Sequence, residues 1–145
     1  MRVTALFFIL LCCSISYTTA QNDYLVATSP SQEISSSKEE LFIKLKSKRE
    51  GVLENGILFE GDKLIKCRTQ DLADAMAVFM MLQNGVEKTH WFYSNGVVEE
   101  VNATKMTQIY QSIGNFRSSQ FMKESQLEAQ VNVSETLENL DSIIW

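Results

Sequence analysis

The feature that most constrains this chain is Asn95-Gly96, set between two runs of β-forming residues, Thr89 to Ser94 and Val97 to Val101. Asn-Gly tolerates the positive φ of tight hairpin turns, so the two runs are predicted to pair as antiparallel neighbours. A similar arrangement precedes it: Ile57 to Glu60, a Gly61-Asp62 pair, then Lys63 to Cys67. Here too a hairpin is predicted, with Glu60 and Lys63 facing each other across the turn. Two local hairpins with helical sequence between them point to an α+β domain rather than a parallel βαβ sheet.

The stretches around the hairpins carry apolar residues at helical spacing. Ser37 and Glu40 form a capping box ahead of Leu41, Phe42, Leu45, Val52 and Leu53, and Asn55-Gly56 ends that helix. Thr69 is placed to cap a second helix, with Asp71 in its first turn, carrying Leu72, Ala75, Met76, Phe79, Met80 and Leu82 to Asn84-Gly85. From Asn102, Met106, Ile109, Tyr110, Ile113 and Phe116 share one face, which drifts near Gly114 towards Phe121 and Leu127. A short terminal helix, started by Asn132 with Glu135 or by Ser134, takes Leu137, Leu140, Ile143 and Ile144 to Trp145. The predicted order is helix, β-hairpin, helix, β-hairpin, long helix, short C-terminal helix, in one small domain over 37–145.

The N-terminus reads as an export signal. Met1-Arg2 is followed by an apolar run from Ala5 to Cys13, and small residues at Thr18 and Ala20 predict cleavage after residue 20. The run is far shorter than the roughly 20 residues a membrane span requires. A secreted, extracellular protein is therefore expected, with residues 1–20 as signal peptide, no membrane insertion after cleavage, and 21–36 as a flexible leader. The whole chain has a net charge of −5, and loss of Arg2 makes it one unit more negative. That balance speaks against nucleic-acid binding and against docking on anionic membranes. The basic run Lys44, Lys46, Lys48 and Arg49 is read as a solvated helix face. Of the three cysteines, Cys12 and Cys13 leave with the signal, so Cys67 is expected alone and buried at the end of its strand. Asn102-Ala103-Thr104 and Asn132-Val133-Ser134 are glycosylation acceptors in a eukaryotic secretory route.

Catalytic signatures are sparse. His90 is the one histidine, too few for a zinc ligand set and lying in an aromatic run rather than beside a nucleophile. The six glycines are scattered, without a phosphate-binding loop, and no cofactor or metal is expected. Glu99 and Glu100 point to opposite faces of a strand, while Glu39, Glu40, Asp71 and Asp74 read as helix-start acids. The run His90-Trp91-Phe92-Tyr93 offers a candidate binding platform: Trp91 and Tyr93 share one face, placed beside Val98 and Glu100. Either that pair or Phe92 must lie outside, because only one face of the hairpin can be core. The leading expectation is a secreted, non-enzymatic binding protein that recognises a surface glycan or a protein partner through the second hairpin. A rival is a polysaccharide hydrolase using Glu60, Asp62 or Glu100. A third is an assembly protein self-associating through the long helix from about Asn102 to Gln130, although its apolar face drifts too far for a sustained heptad. The oligomeric state stays open.

The order of elements also resembles a domain of unknown function found near the C-termini of phage tail and tail-fibre-associated proteins. The resemblance rests on Lys48-Arg49, Asn55-Gly56-Ile57, Phe59, Gly61, Trp91 ahead of Asn95-Gly96, and a helix carrying Phe121 and Leu127; it spans roughly 38–130. These are turn, core and structural positions. The resemblance implies a fold and an assembly or surface-recognition role, and it transfers no active residue. The phage versions lack a signal peptide.

Overall fold

A computed structural model describes residues 29–145; the signal peptide predicted at 1–20 and the predicted leader up to residue 28 lie outside the described residues. The elements are α1 (Pro30–Asn55), β1 (Ile57–Phe59), β2 (Lys63–Ile65), α2 (Thr69–Gln83), β3 (Thr89–Phe92), β4 (Val98–Val101), α3 (Ala103–Val133) and α4 (Leu137–Asp141). β1–β2 and β3–β4 are separate antiparallel hairpins. The α+β architecture and the predicted element order are both present.

α1 begins earlier than the Ser37 cap predicts, so 30–36 is helix rather than leader. Ser29 is the N-cap: its hydroxyl accepts from the Gln32 amide, and Gln32 Oε1 accepts from the Ser29 amide at 3.1 Å. Pro30 sits at N1, where its missing N–H costs nothing. Ile34, half-buried against Leu45, Val131 and Leu140, gives this extra turn a reason to stay ordered. At α2 the cap also differs. The Asp71 carboxylate accepts from the Arg68 amide at 2.8 Å, while Thr69 instead accepts from Arg117. α4 is capped by Thr136, whose hydroxyl accepts from the Asn139 amide at 3.2 Å, rather than by Asn132 or Ser134.

α3 is the spine, with α1 and α2 packed along it. The main core joins Leu53, Ile65, Cys67, Ala75, Leu82, Tyr93, Val101, Met106, Ile109 and Ile113, and a second cluster joins Leu45, Val131 and Leu140. Arg49 lies between Leu45 and Leu53 at four-residue spacing and so faces inward, not into solvent. It is 8% exposed, pairs with the buried Glu124 of α3, and lies 4.2 Å from the Phe121 ring. Lys44, Lys46 and Lys48 remain on the solvated face.

Gly56 closes α1 at φ +72°, and a Cβ there would run into the Ile65 carbonyl oxygen, far inside contact distance. Gly51, by contrast, is exposed within α1, and a Cβ added there would meet nothing within 4 Å. Gly56→Ala should therefore cost at least ~2 kcal/mol of unfolding free energy, and Gly51→Ala should add about 0.5–1 kcal/mol. Urea denaturation of both variants checks the pair, and equal effects at the two positions would contradict the packing of α1 on β2.

Candidate functional site

The two hairpins meet at their turns. Ser94 donates its amide to the Leu64 carbonyl at 2.8 Å, and Asn95 Nδ2 donates to the Asp62 carbonyl at 2.6 Å. Asn95 Oδ1 accepts from the Leu64 amide at 3.4 Å, so the turn residue of one hairpin fastens the edge of the other. This docking goes with a longer loop than Asn-Gly alone predicts. Tyr93 donates its amide to Val97 at 2.8 Å, Gly96 donates to Tyr93 at 3.0 Å, and Gly96 has φ +86° while Asn95 is not at positive φ. The result is a three-residue loop closed by a glycine bulge rather than a two-residue turn.

That one extra residue shifts the register. The pairs are His90↔Glu100, Trp91↔Glu99 and Phe92↔Val98. Val98 and Glu100 consequently share a face with Phe92 and His90, not with Trp91 and Tyr93, because a one-residue slip exchanges the faces of a strand. Of the platform expected of Trp91 and Tyr93, Tyr93 lies inside and Trp91 only partly so. Tyr93 is 3% exposed, and Trp91 is half-buried against the main core. The Trp91 indole nitrogen is buried without a hydrogen-bond partner, at a cost of about 1–3 kcal/mol, so the residue contributes through its ring. Phe92 is the aromatic left outside, 72% exposed, opposite Val98 at 49%. His90 and the Lys88–Glu100 ion pair (2.8 Å) border them.

Beneath this face lies an alternating cluster of charge. Lys63 Nζ binds Glu60 at 3.0 Å and Glu99 at 2.9 Å; Lys105 of α3 pairs with Glu60 and approaches Glu99 at 3.8 Å. Tyr93 donates its hydroxyl to Glu99 at 2.7 Å, and its ring stacks on Phe59 with centroids 6.4 Å apart. Lys63 lies over the Tyr93 ring and Lys105 over the Phe59 ring, at 5.5 and 5.1 Å. The predicted Glu60–Lys63 pair is present, but Glu60 sits within a three-residue loop at φ +49° and Phe59 is the strand partner of Lys63. Nothing in the sequence marks Lys105 and Glu99 as neighbours; only the observed register and the first turn of α3 bring them together.

The electrostatics follow from these contacts. Lys63 and Tyr93 hold the Glu99 carboxyl below its ordinary value, Lys105 and Lys63 do the same for Glu60, and Lys88 does so for Glu100. A glycosidase acid needs its carboxyl raised, the opposite direction. Asp62, the third carboxylate considered, lies exposed in the first turn with its backbone carbonyl bound to Asn95. Among the described residues no three His, Cys, Asp or Glu side chains converge as a metal site. Cys67 is fully buried, and burial pushes its thiol up to about 11. Asn102 is exposed and caps α3 through Oδ1 to the Lys105 amide at 3.0 Å, and Asn132 is exposed in the last turn of α3.

A cleft of about 250 Å³ opens between α2 and the second hairpin, bordered by Leu64, Asp74, Val78, His90, Trp91 and Phe92. It is smaller than the ~300 Å³ at which clefts for small-molecule ligands usually begin. One inserted side chain would fill it. No described helix is long and apolar enough to cross a membrane.

Two outcomes test this geometry. The folded carboxyls titrate below their unfolded value of 4.5, so their contribution to stability is present above that pH and lost as pH falls below it. Thermal midpoints measured from about pH 6 to pH 3 should fall more steeply for the native protein than for Glu99→Gln; parallel curves would contradict the cluster. Cys67 should resist alkylation at about pH 8 in the native state and react fully once unfolded, and rapid native labelling would contradict its burial.

A search of curated proteins and a search of solved structures each found no match. A family model described as a domain of unknown function (DUF4376) matches residues 36–144, from the body of α1 to the C-terminal segment. The chain belongs to the DUF4376 family.

Proposed function

We propose that this is a secreted, non-enzymatic interaction protein that recognises a protein partner through the outer face of its second hairpin. The observation that carries this reading is the exposed Phe92–Val98 pair, with Phe92 at 72% exposure beside the cleft bordered by Trp91 and Val78. An outward aromatic next to a cleft of side-chain size is the usual form of an interface anchor. A glycan partner fits less well, because the aromatics with a polar handle, Trp91 and Tyr93, face inward. Export from the cell rests on the N-terminal pattern of the sequence, as does glycosylation at Asn102 and Asn132 on the exported chain. The resemblance to phage tail-associated domains agrees in kind with surface recognition.

The hydrolase reading has less support, since Glu60 and Glu100 are each neutralised by lysines and carry no raised carboxyl. Self-association through α3 is disfavoured, because α1 and α2 pack along that helix and its Met106, Ile109, Ile113 and Val131 are already buried.

The test is retrieval of partners from the native extracellular medium by immobilised protein and by Phe92→Ser. The variant should fold with an unchanged circular dichroism spectrum and lose at least about tenfold in partner affinity, the effect of removing an interface anchor worth ~1.4 kcal/mol or more. Equal retrieval by both proteins would refute this surface.

A further inference from the structure

α2 carries no charged residue after Asp74, although charged residues make up 21% of the chain as a whole. One side of α2, with Leu72, Ala75, Phe79 and Leu82, packs into the main core. A second side, with Asp71, Asp74 and Val78, borders the cleft. The third side is neither packed nor charged. Ala73, Met76, Ala77, Met80 and Met81 lie in solvent, with Met76 at 48%, Met80 at 51% and Met81 at 39% exposure. A surface helix ordinarily places charged and polar residues there.

We infer that this face of α2 is a homodimer interface, at which two copies of the chain pair their α2 helices antiparallel about a two-fold axis. Three observations select a second copy. The chain has a net charge of −5, so two copies repel broadly, and an uncharged face is where they approach at least cost. Antiparallel pairing also keeps the Asp71 and Asp74 ends of the two helices apart, whereas parallel pairing would bring four carboxylates together.

The third observation is shape. Ala73 and Ala77, four residues apart, leave a shallow gap along the helix, and Met80 rises beside it on the same face. With the axis between Ala77 and Met80, each copy's Met80 seats against the other's Ala77, and each Met76 meets the other's Met81. A closed two-fold contact requires such self-complementarity. Methionine suits it, being flexible and polarizable enough to fill an irregular contact. One helix face is smaller than the ~800 Å² per partner of a standard stable interface, so the dimer is weak and depends on concentration. It lies on a different side of α2 from the cleft and leaves Phe92 and Val98 open on both copies. Pairing would therefore present two recognition faces and raise avidity for a surface carrying repeated partners.

Sedimentation equilibrium of the purified protein over about 10 to 500 μM tests the inference. The native protein should move from monomer towards dimer across that range. Met80→Lys and Ala77→Glu, each at an exposed position, should weaken dimerisation roughly tenfold or more while keeping the native circular dichroism spectrum. An equimolar mixture of the two variants should regain association, because one of its two symmetry-related contacts then sets lysine against glutamate and the other is native. Phe92→Ser should dimerise like the native protein, which separates this face from the proposed recognition surface. A native protein that stays monomeric throughout, a native dimer indifferent to Met80→Lys, or a mixture that does not re-associate would each overturn the inference.

Discussion

The hydrogen bond from Tyr93 to Glu99, together with the stacking of Tyr93 on Phe59, ties the first hairpin to the distant second hairpin and to the helix that follows it. Phe59, Glu60 and Lys63 come from the first hairpin, Tyr93 and Glu99 from the second, and Lys105 from the first turn of α3. Each acid in this set is bordered by two lysines, and each lysine lies over an aromatic ring. The groups are partly solvated, so individual ion pairs contribute little; the arrangement acts by holding the hairpins in one orientation on the helix. Once Tyr93 is inside, strand alternation leaves no choice for its neighbour: Phe92 must be outside, with His90 and Val98.

Much of this is legible in the residues. The element order follows from the two turn signals and the apolar spacing, and the burial of Cys67 follows from its place at the end of an apolar strand. Where expectation and structure part, the physical cause is shared: distant contacts decide local signals. Asn95-Gly96 alone indicates a two-residue turn, but Asn95 spends its side chain on Asp62 and Leu64 of the other hairpin, and the loop is one residue longer. That single residue exchanges the faces of the strand and with them the candidate surface. Arg49 looks like one of its solvated lysine neighbours, although its spacing from Leu45 and Leu53 places it inward. Glu124, 75 positions away, together with the neighbouring Glu50, makes that burial tolerable. The early start of α1 is visible in Ser29-Pro30-Ser31-Gln32, a capping box with proline at N1, but the serine-rich sequence around it obscures the signal.

Two surfaces stand out because they lack what surrounds them. The outer face of the second hairpin carries an aromatic and a valine where a solvated strand would carry polar residues, and the outer face of α2 carries methionine and alanine where a solvated helix would carry charge. They sit on different parts of the fold, so the proposed pairing of copies and the proposed recognition of a partner do not compete for one surface. Glu60 and Glu99 hold lysines in place, and Glu100 holds Lys88 at the edge of the hairpin.

The register of the second hairpin is the point on which the proposed recognition surface turns, and cross-strand nuclear Overhauser effects read it directly. The geometry predicts close Hα–Hα contacts for Phe92 with Val98 and for His90 with Glu100, the non-hydrogen-bonded pairs of this ladder. Contacts of Tyr93 with Val98 and Trp91 with Glu100 would instead show the two-residue turn, with Tyr93 and Trp91 on the face of Val98, and would contradict the proposed surface.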